Sequence, residues 1–222
     1  MSVKALLFGS IGVIAETSDI QRRAYNQALA EAGLDWQWDE AHYRDLLNAP
    51  GGRARLRSLA KQTDTSLTDD DINTIHARKT EFACSEIVSR GVGLRPGVAA
   101  LIQSALMRDI AVALVTTTYR ENIDAIATAA GSELPLDRFA GVFTVTDADK
   151  PKPAPDIYAV ALSGLQVGPD AAIALEDSAA SVAAAKAAGV YTIAVPGEFT
   201  RGQDFSAADR VLESVRGFDL PQ

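Results

Sequence analysis

The polar residues best suited to chemistry in this chain stand at or near the ends of short apolar runs. Thr116 and Thr117 follow one run, Glu176 and Asp177 follow another, and Lys152 stands between two prolines. A hydroxyl group and backbone amides at a strand end that faces a helix N-terminus can hold a phosphoryl group. Carboxylates with few other ligands suit a hard cation that keeps several waters. Each residue also has an ordinary interpretation: a threonine caps a helix, a lysine is solvated, and Glu-Asp-Ser is a common strand-to-helix turn.

The apolar run at the N-terminus ends without a carboxylate. Residues 3–17 read Val-Lys-Ala-Leu-Leu-Phe-Gly-Ser-Ile-Gly-Val-Ile-Ala-Glu-Thr. This segment resembles the first motif of the haloacid dehalogenase superfamily, Phe-Asp-x-Asp-Gly-Thr-Leu. Gly9 and Ile11 stand at the two aspartate positions, and Val13 stands at the threonine position. The frame of the motif is kept, and its two acidic side chains are absent.

Three later segments carry the same resemblance in the same order. Thr116 matches the small hydroxyl residue of the second motif, and Lys152–Tyr158 matches the third motif, Lys-Pro-x-Pro-Asp-Ile-Tyr. The fourth motif is matched by the Glu-Asp-Ser string that starts at Glu176. The resemblance implies that Thr116, Thr117 and Lys152 bind phosphate. It also implies that Glu176 and Asp177 bind magnesium.

Shorter matches are similar to the CbbY-type and β-phosphoglucomutase-like members of the superfamily. They are Arg22–Asn26, Gly51–Arg53, Leu94–Gly97, Asn122 and Phe199–Arg201. The resemblance implies a phosphatase for sugar bisphosphates such as xylulose 1,5-bisphosphate. The residues expected near a substrate or near the hinge of a cap are Glu16, Gly51, Gly52, Arg53 and Asn122. These relatives have histidine where Gln21 stands and lysine where Arg53 stands, so the substrate itself is not predicted.

The missing aspartates remove the chemistry that the resemblance implies. In the family mechanism the first aspartate attacks phosphorus and ligates magnesium, and the second protonates the leaving alcohol. Gly9 has no side chain, Ile11 cannot exchange a proton, and Ser10 is expected to point away from both in an extended segment. Losing a covalent nucleophile can remove about 8 kcal/mol of transition-state stabilisation, or about six orders of magnitude in rate. We therefore expect a catalytically impaired pseudoenzyme that still binds a phosphorylated sugar, with magnesium bound weakly or lost.

Three other interpretations stay open. One is a working magnesium-dependent phosphatase that recruits Glu16, Glu176 or Asp177, although Glu16 is better explained as a carboxylate at a hinge or helix start. Another is a scaffold or regulatory protein that makes no use of the site. The third is a different doubly wound protein, such as a signalling receiver domain, against which the Lys-Pro-x-Pro-Asp string argues.

The elements that must position these residues alternate between strands and helices. Fully apolar runs predict strands at Ala5–Phe8, Ile110–Val115, Gly141–Val145, Ala171–Leu175 and Tyr191–Val195. Helices are predicted at Gly97–Met107, Arg120–Ala130, Pro155–Leu162 and Ser178–Ala188. This alternation predicts an α/β fold with a doubly wound parallel sheet. Residues 16–90 instead show amphipathic helical stripes, which predicts a helical cap inserted into a core domain of residues 1–15 and 91–222.

Composition narrows the classes of partner. The 222 residues are 47% hydrophobic and carry a formal net charge of −8, so no basic footprint for nucleic acid is present. Arginines at 53, 55 and 57 with Lys61 form a helical cluster that suits a solvated face or a ligand pocket. Cys84 is the single cysteine and is expected in a core. We expect a cytoplasmic protein without a membrane span. The oligomeric state is not predicted.

Overall fold

The computed structural model describes residues 2–48 and 51–221. Its strands are β1 (Ala5–Phe8), β2 (Ala111–Val115), β3 (Gly141–Phe143), β4 (Ala172–Glu176), β5 (Tyr191–Ala194) and β6 (Arg210–Val211). Its α-helices are α1 (Ser18–Glu31), α2 (Glu40–Leu46), α3 (Gly52–Gln62), α4 (Asp69–Arg90), α5 (Val98–Met107), α6 (Arg120–Ala130), α7 (Asp156–Leu165) and α8 (Ala179–Ala187). Within the described ranges, no helix is long and apolar enough to cross a membrane.

The described strands form one parallel sheet in the order β3-β2-β1-β4-β5-β6. All four residues of β1 are fully buried, as expected for a strand covered by helices on both faces. Leu6 and Phe8 belong to one hydrophobic cluster, while Ala5 and Leu7 belong to another on the opposite face. The strand order reverses beside β1, and open α/β sheets bind ligands at the carboxyl ends of strands at such a point. The predicted doubly wound fold is therefore confirmed.

The element bounds differ from the predicted ones at a few ends. Residues 144–145 were predicted to continue β3, but Val145–Asp147 form a 3-10 turn in which the Asp147 carboxylate accepts a hydrogen bond from the Thr144 backbone N–H at 2.7 Å. Helix α7 runs to Leu165, three residues beyond its predicted end. Strand β6 was missed because two exposed residues show no apolar run. Each difference arises from a local hydrogen bond or an edge position that apolar patterning does not report.

Five of the described helices, α1 to α5, lie between β1 and β2, and the first four of them fall within residues 16–90. Helix α4 packs against both α1 and α6. A separate hydrophobic cluster lies among these helices, built around Tyr25, Trp38, Tyr43 and Leu56. Cys84, expected in a core, is partly buried against the main cluster. The boundaries of a cap at residues 16 and 90 stay a prediction.

Candidate functional site

A cavity of about 400 Å³ lies at the carboxyl ends of β1, β2 and β4, below helices α1, α3 and α4. The cavity brings together eleven of the twelve predicted site residues, which are Gly9, Ile11, Gly51, Gly52, Arg53, Thr116, Thr117, Asn122, Lys152, Glu176 and Asp177. The volume falls in the range of small-molecule sites. The sheet ends and the helical segment therefore share one concave site.

A buried ion pair forms the floor of the cavity. Lys152 is 3% exposed and Glu176 is 1% exposed. Lys152 Nζ donates a hydrogen bond to Glu176 Oε1 and another, of 2.9 Å, to the carbonyl oxygen of Val115. The hydroxyl of Tyr158 donates to the same Glu176 oxygen. Lys152 is thus held by a carboxylate, and a phosphate would have to compete with Glu176 for its ammonium group.

The Glu176 carboxylate fills the space beside Gly9. A Cβ atom added at Gly9 would lie 2.5 Å from Glu176 Oε2 and 2.9 Å from Val13 Cγ2. Real Cβ atoms essentially never approach other heavy atoms as closely as this. A side chain at position 9 would consequently require the Glu176 carboxylate to shift.

The donor set does not fit the magnesium ion that the family resemblance implies. Magnesium demands near-ideal octahedral oxygen coordination and usually takes one or two free carboxylates. Glu176 is neutralised by Lys152, and Gly9 supplies no carboxylate. Burial, with the nearby charge of Glu176, raises the pKa of Asp177 to about 8. Across residues 2–48 and 51–221, no group of three or more His, Cys, Asp or Glu side chains could hold a metal ion.

Ser10 follows the end of strand β1 and lines the cavity together with Gly9 and Ile11. The expectation that its side chain points away from positions 9 and 11 stays a prediction. Its hydroxyl lies 2.8 Å from that of Thr116, which also accepts a hydrogen bond of 3.1 Å from the Thr118 backbone N–H. Neither neighbour is a base that could activate the Ser10 hydroxyl.

Glu16 is the predicted site residue that does not line the cavity. Its carboxylate accepts hydrogen bonds from the backbone N–H of Ser18 at 3.1 Å and from that of Glu198 at 2.7 Å. Ser18 is the first residue of α1. Glu16 therefore tethers the start of α1 to the loop after β5.

The helical side of the cavity is strongly basic. Arg53, Arg55, Arg57, His76 and Lys79 line it together with aromatic side chains. The Arg53 guanidinium lies 5.4 Å from the centroid of the Tyr119 ring, and its buried Nε has no hydrogen-bond partner in the described chain. Burial, with Lys79 next among the causes, lowers the pKa of His76 to about 3, so this imidazole is neutral at neutral pH.

Sequence reasoning missed His76 and Lys79. The predicted buried stripe of α4 contains Ile72, Ile75 and Phe82, and Lys79 falls on that stripe one turn after Ile75. A lysine within an apolar stripe was the available signal.

Gly52 lines the cavity at a position where a side chain has no room. An added Cβ would overlap the Tyr25 hydroxyl and would lie 2.6 Å from His76 Nε2. We expect Gly52→Ala to lower the free energy of unfolding by about 1–3 kcal/mol, as overpacking does. Urea denaturation measures this cost. Gly93→Ala is the control, because nothing lies within 4 Å of its Cβ position. Equal stability of the two variants would contradict the packing described for Gly52.

Comparisons with known proteins agree with the fold and give the family. A family model for haloacid dehalogenase-like hydrolases matches residues 3–189. Protein CbbY of Rhodobacter capsulatus is 42% identical over 209 residues, which span 94% of this chain and 92% of that protein. A crystal structure of a CbbY variant from Rhodobacter sphaeroides in complex with xylulose-(1,5)bisphosphate aligns with a TM-score of 0.90 at 38% identity, covering 96% of this chain and 94% of that chain. A β-phosphoglucomutase from Clostridium difficile aligns with a TM-score of 0.80 at 18% identity over 98% of this chain and 94% of that chain, a likeness of fold alone.

Proposed function

We propose that this chain, which belongs to the haloacid dehalogenase-like hydrolase family, binds a phosphorylated sugar in its cavity and does not hydrolyse it through an aspartyl-phosphate. In this proposal residues 16–90 act as the cap that closes over the sheet ends of residues 1–15 and 91–222. The ligand is held without a magnesium ion. The protein is then a pseudoenzyme of a phosphatase family.

One observation carries the proposal: the Glu176 carboxylate lies where a side chain at position 9 would begin. A nucleophile needs an open path to phosphorus. Glu176 Oε1 accepts hydrogen bonds from both Lys152 and Tyr158, which hold the carboxylate in this position. A buried ion pair therefore occupies the space beside position 9, where the family's nucleophile would stand.

The charge of the helical side supports retained binding of a phosphate ester. Arg53 presents a planar fork of donors, which matches a phosphate oxygen pair. Opposite it, Thr116 and Thr117 offer hydroxyl groups at the end of β2. Because no acidic side chain stands at positions 9 and 11, a phosphate dianion meets less repulsion than it would in a complete first motif. A phosphorylated sugar of the kind bound by the CbbY relative therefore fits the site chemically.

Arg53 is the residue through which we test this function. We expect Arg53→Ala to weaken binding of xylulose 1,5-bisphosphate by about tenfold to a hundredfold in the presence of EDTA, since a charge-assisted hydrogen bond is worth about 1.5–3 kcal/mol. Isothermal titration calorimetry measures the affinity. The matched control is Arg90→Ala, which removes an arginine that is 63% exposed at the end of α4. Equal affinities of the two variants, or no heat of binding for the natural protein, would count against the proposal.

A further inference from the structure

Lys79 is a buried amine that faces the cavity. It is 6% exposed and lines the cavity from the middle of α4. Its Nζ lies 5.0 Å from the centroid of the Tyr25 ring. His76 stands three residues earlier on the same helix and also lines the cavity, so the two side chains share one face. The ammonium group of Lys79 is therefore positioned beside any ligand that enters from the sheet ends.

No carboxylate neutralises this amine. Among residues 2–48 and 51–221, no acidic side chain forms a salt bridge with Lys79, and no oxygen accepts a hydrogen bond from its Nζ. The charged neighbour is instead a cation, Arg55. Burial, reinforced by Arg55, lowers the pKa of Lys79 to about 7. A lysine whose pKa is lowered in this way is more readily unprotonated, and therefore nucleophilic, near neutral pH.

This environment contrasts with that of Lys152, the other buried lysine of the cavity. Lys152 is held by Glu176, by the Val115 carbonyl and beside the Tyr158 ring, so its ammonium form is fully satisfied. A lysine that only supplied charge to a phosphate would need no such depressed basicity. A desolvated lysine beside another cation is instead the arrangement that activates an amine towards carbonyl carbon.

We propose that Lys79 forms a reversible imine with the carbonyl carbon of an open-chain aldose or ketose phosphate held in the cavity. This inference rests on the proposed binding of a phosphorylated sugar. The lone pair of Nζ attacks the carbonyl carbon, and the carbonyl oxygen takes up a proton to give a carbinolamine. The nitrogen then loses its proton and the hydroxyl group leaves as water, which forms the carbon–nitrogen double bond. Water reverses the step, so no oxidant or reductant is required.

The groups around Lys79 suit this step. Because His76 is neutral, its imidazole offers one N–H donor and one acceptor to the carbinolamine hydroxyl. Tyr25 contributes a ring face beside Nζ, and its hydroxyl lies with His76 against Gly52. Arg53 remains available for the phosphate group of the same ligand. The site thus separates the two functional groups of a sugar phosphate between an arginine and an amine.

The test uses pyridoxal 5′-phosphate, which carries both an aldehyde and a phosphate, with borohydride reduction and peptide mass spectrometry. We expect reduction to fix the label on Lys79 at least about tenfold more than on the exposed Lys61, because the cavity holds the aldehyde beside the buried amine of Lys79, whose pKa is lowered. Lys79→Arg, which keeps the positive charge, should lose this label, and Lys61→Arg should keep it. Xylulose 1,5-bisphosphate should compete with labelling. Label spread equally over Lys79 and Lys61 overturns the inference.

Pyridoxal, which lacks the phosphate, separates this inference from the proposed function. If both hold, pyridoxal labels Lys79 more weakly than its phosphate ester does. Equal labelling of Lys79 by both probes, with no competition by the bisphosphate, would support the reactive amine and contradict the phosphate site. Calorimetric binding of the bisphosphate without any label on Lys79 would support the phosphate site and contradict the reactive amine. The pyridoxal arm uses the natural protein, so it does not depend on the folding of a variant.

Discussion

Replacing Lys152 with methionine is expected to lower the free energy of unfolding by about 3–5 kcal/mol. The substitution keeps the bulk of the side chain but leaves the Glu176 carboxylate charged and buried, with the Tyr158 hydroxyl as its remaining donor. Removing one partner of a buried pair costs more than the pair itself contributes, because the remaining charge has lost its compensation. Urea denaturation followed by circular dichroism measures the change.

A surface ion pair provides the control for Lys152→Met. Lys186 pairs with Asp209 at 2.7 Å, with side chains 33% and 27% exposed, so Lys186→Met should cost at most about 1 kcal/mol. The double variant Lys152→Met/Glu176→Gln should recover part of the loss, because the unpaired charge is then absent. A loss for Lys152→Met no larger than that for Lys186→Met would mean that Lys152 and Glu176 are not the buried pair described.

Gly9→Asp is expected to make stability depend on magnesium. The new Cβ would lie 2.5 Å from Glu176 Oε2, so Glu176 must move and two carboxylates must share one buried place. In EDTA we expect the free energy of unfolding to fall by about 3 kcal/mol, the lower end of the cost of an uncompensated buried charge. The melting temperature should fall by about 6–12 °C. Magnesium should bind between the two carboxylates, and it should bind only the folded state. This binding should restore much of the lost stability by mass action.

The natural protein is the reference for this second experiment. Its melting temperature should be the same in EDTA and in millimolar magnesium, since Lys152 already neutralises Glu176. Gly93→Asp, at a position with open space around it, controls for an added surface charge. Two results would contradict the placement of Glu176 in the space of a side chain at position 9. One is a Gly9→Asp variant as stable in EDTA as the natural protein, and the other is an equal stabilisation of the natural protein by magnesium.

The sheet was predictable from sequence because its strands are buried on both faces. A run such as Ala5–Phe8 then has no polar alternation, and the pattern identifies both the strand and its parallel sheet. Strand β6, Arg210–Val211, was not predicted because an exposed edge strand of two residues has no such pattern. The fold class was predictable because it depends on apolar burial. The ends of the elements were not, because they depend on local hydrogen bonds that the apolar pattern does not contain.

The candidate site was predictable where a motif fixed a residue at a strand end. Thr116, Lys152 and Glu176 meet in the cavity for this reason. The pairing between Lys152 and Glu176 was not predicted, because residues 24 positions apart meet only when β4 and the loop before α7 are in place. Lys79 was missed for a related reason: its burial depends on how α4 packs against α1 and α6.

Binding without hydrolysis is tested most directly by a ³¹P NMR spectrum of xylulose 1,5-bisphosphate with one equivalent of the natural protein, recorded in EDTA and again after magnesium is added. We expect the ester resonances to shift or broaden in EDTA and to change little with magnesium, and we expect no inorganic phosphate to appear. Ester resonances identical to those of the free sugar, or a growing inorganic phosphate resonance after magnesium, would contradict binding of a phosphorylated sugar without hydrolysis.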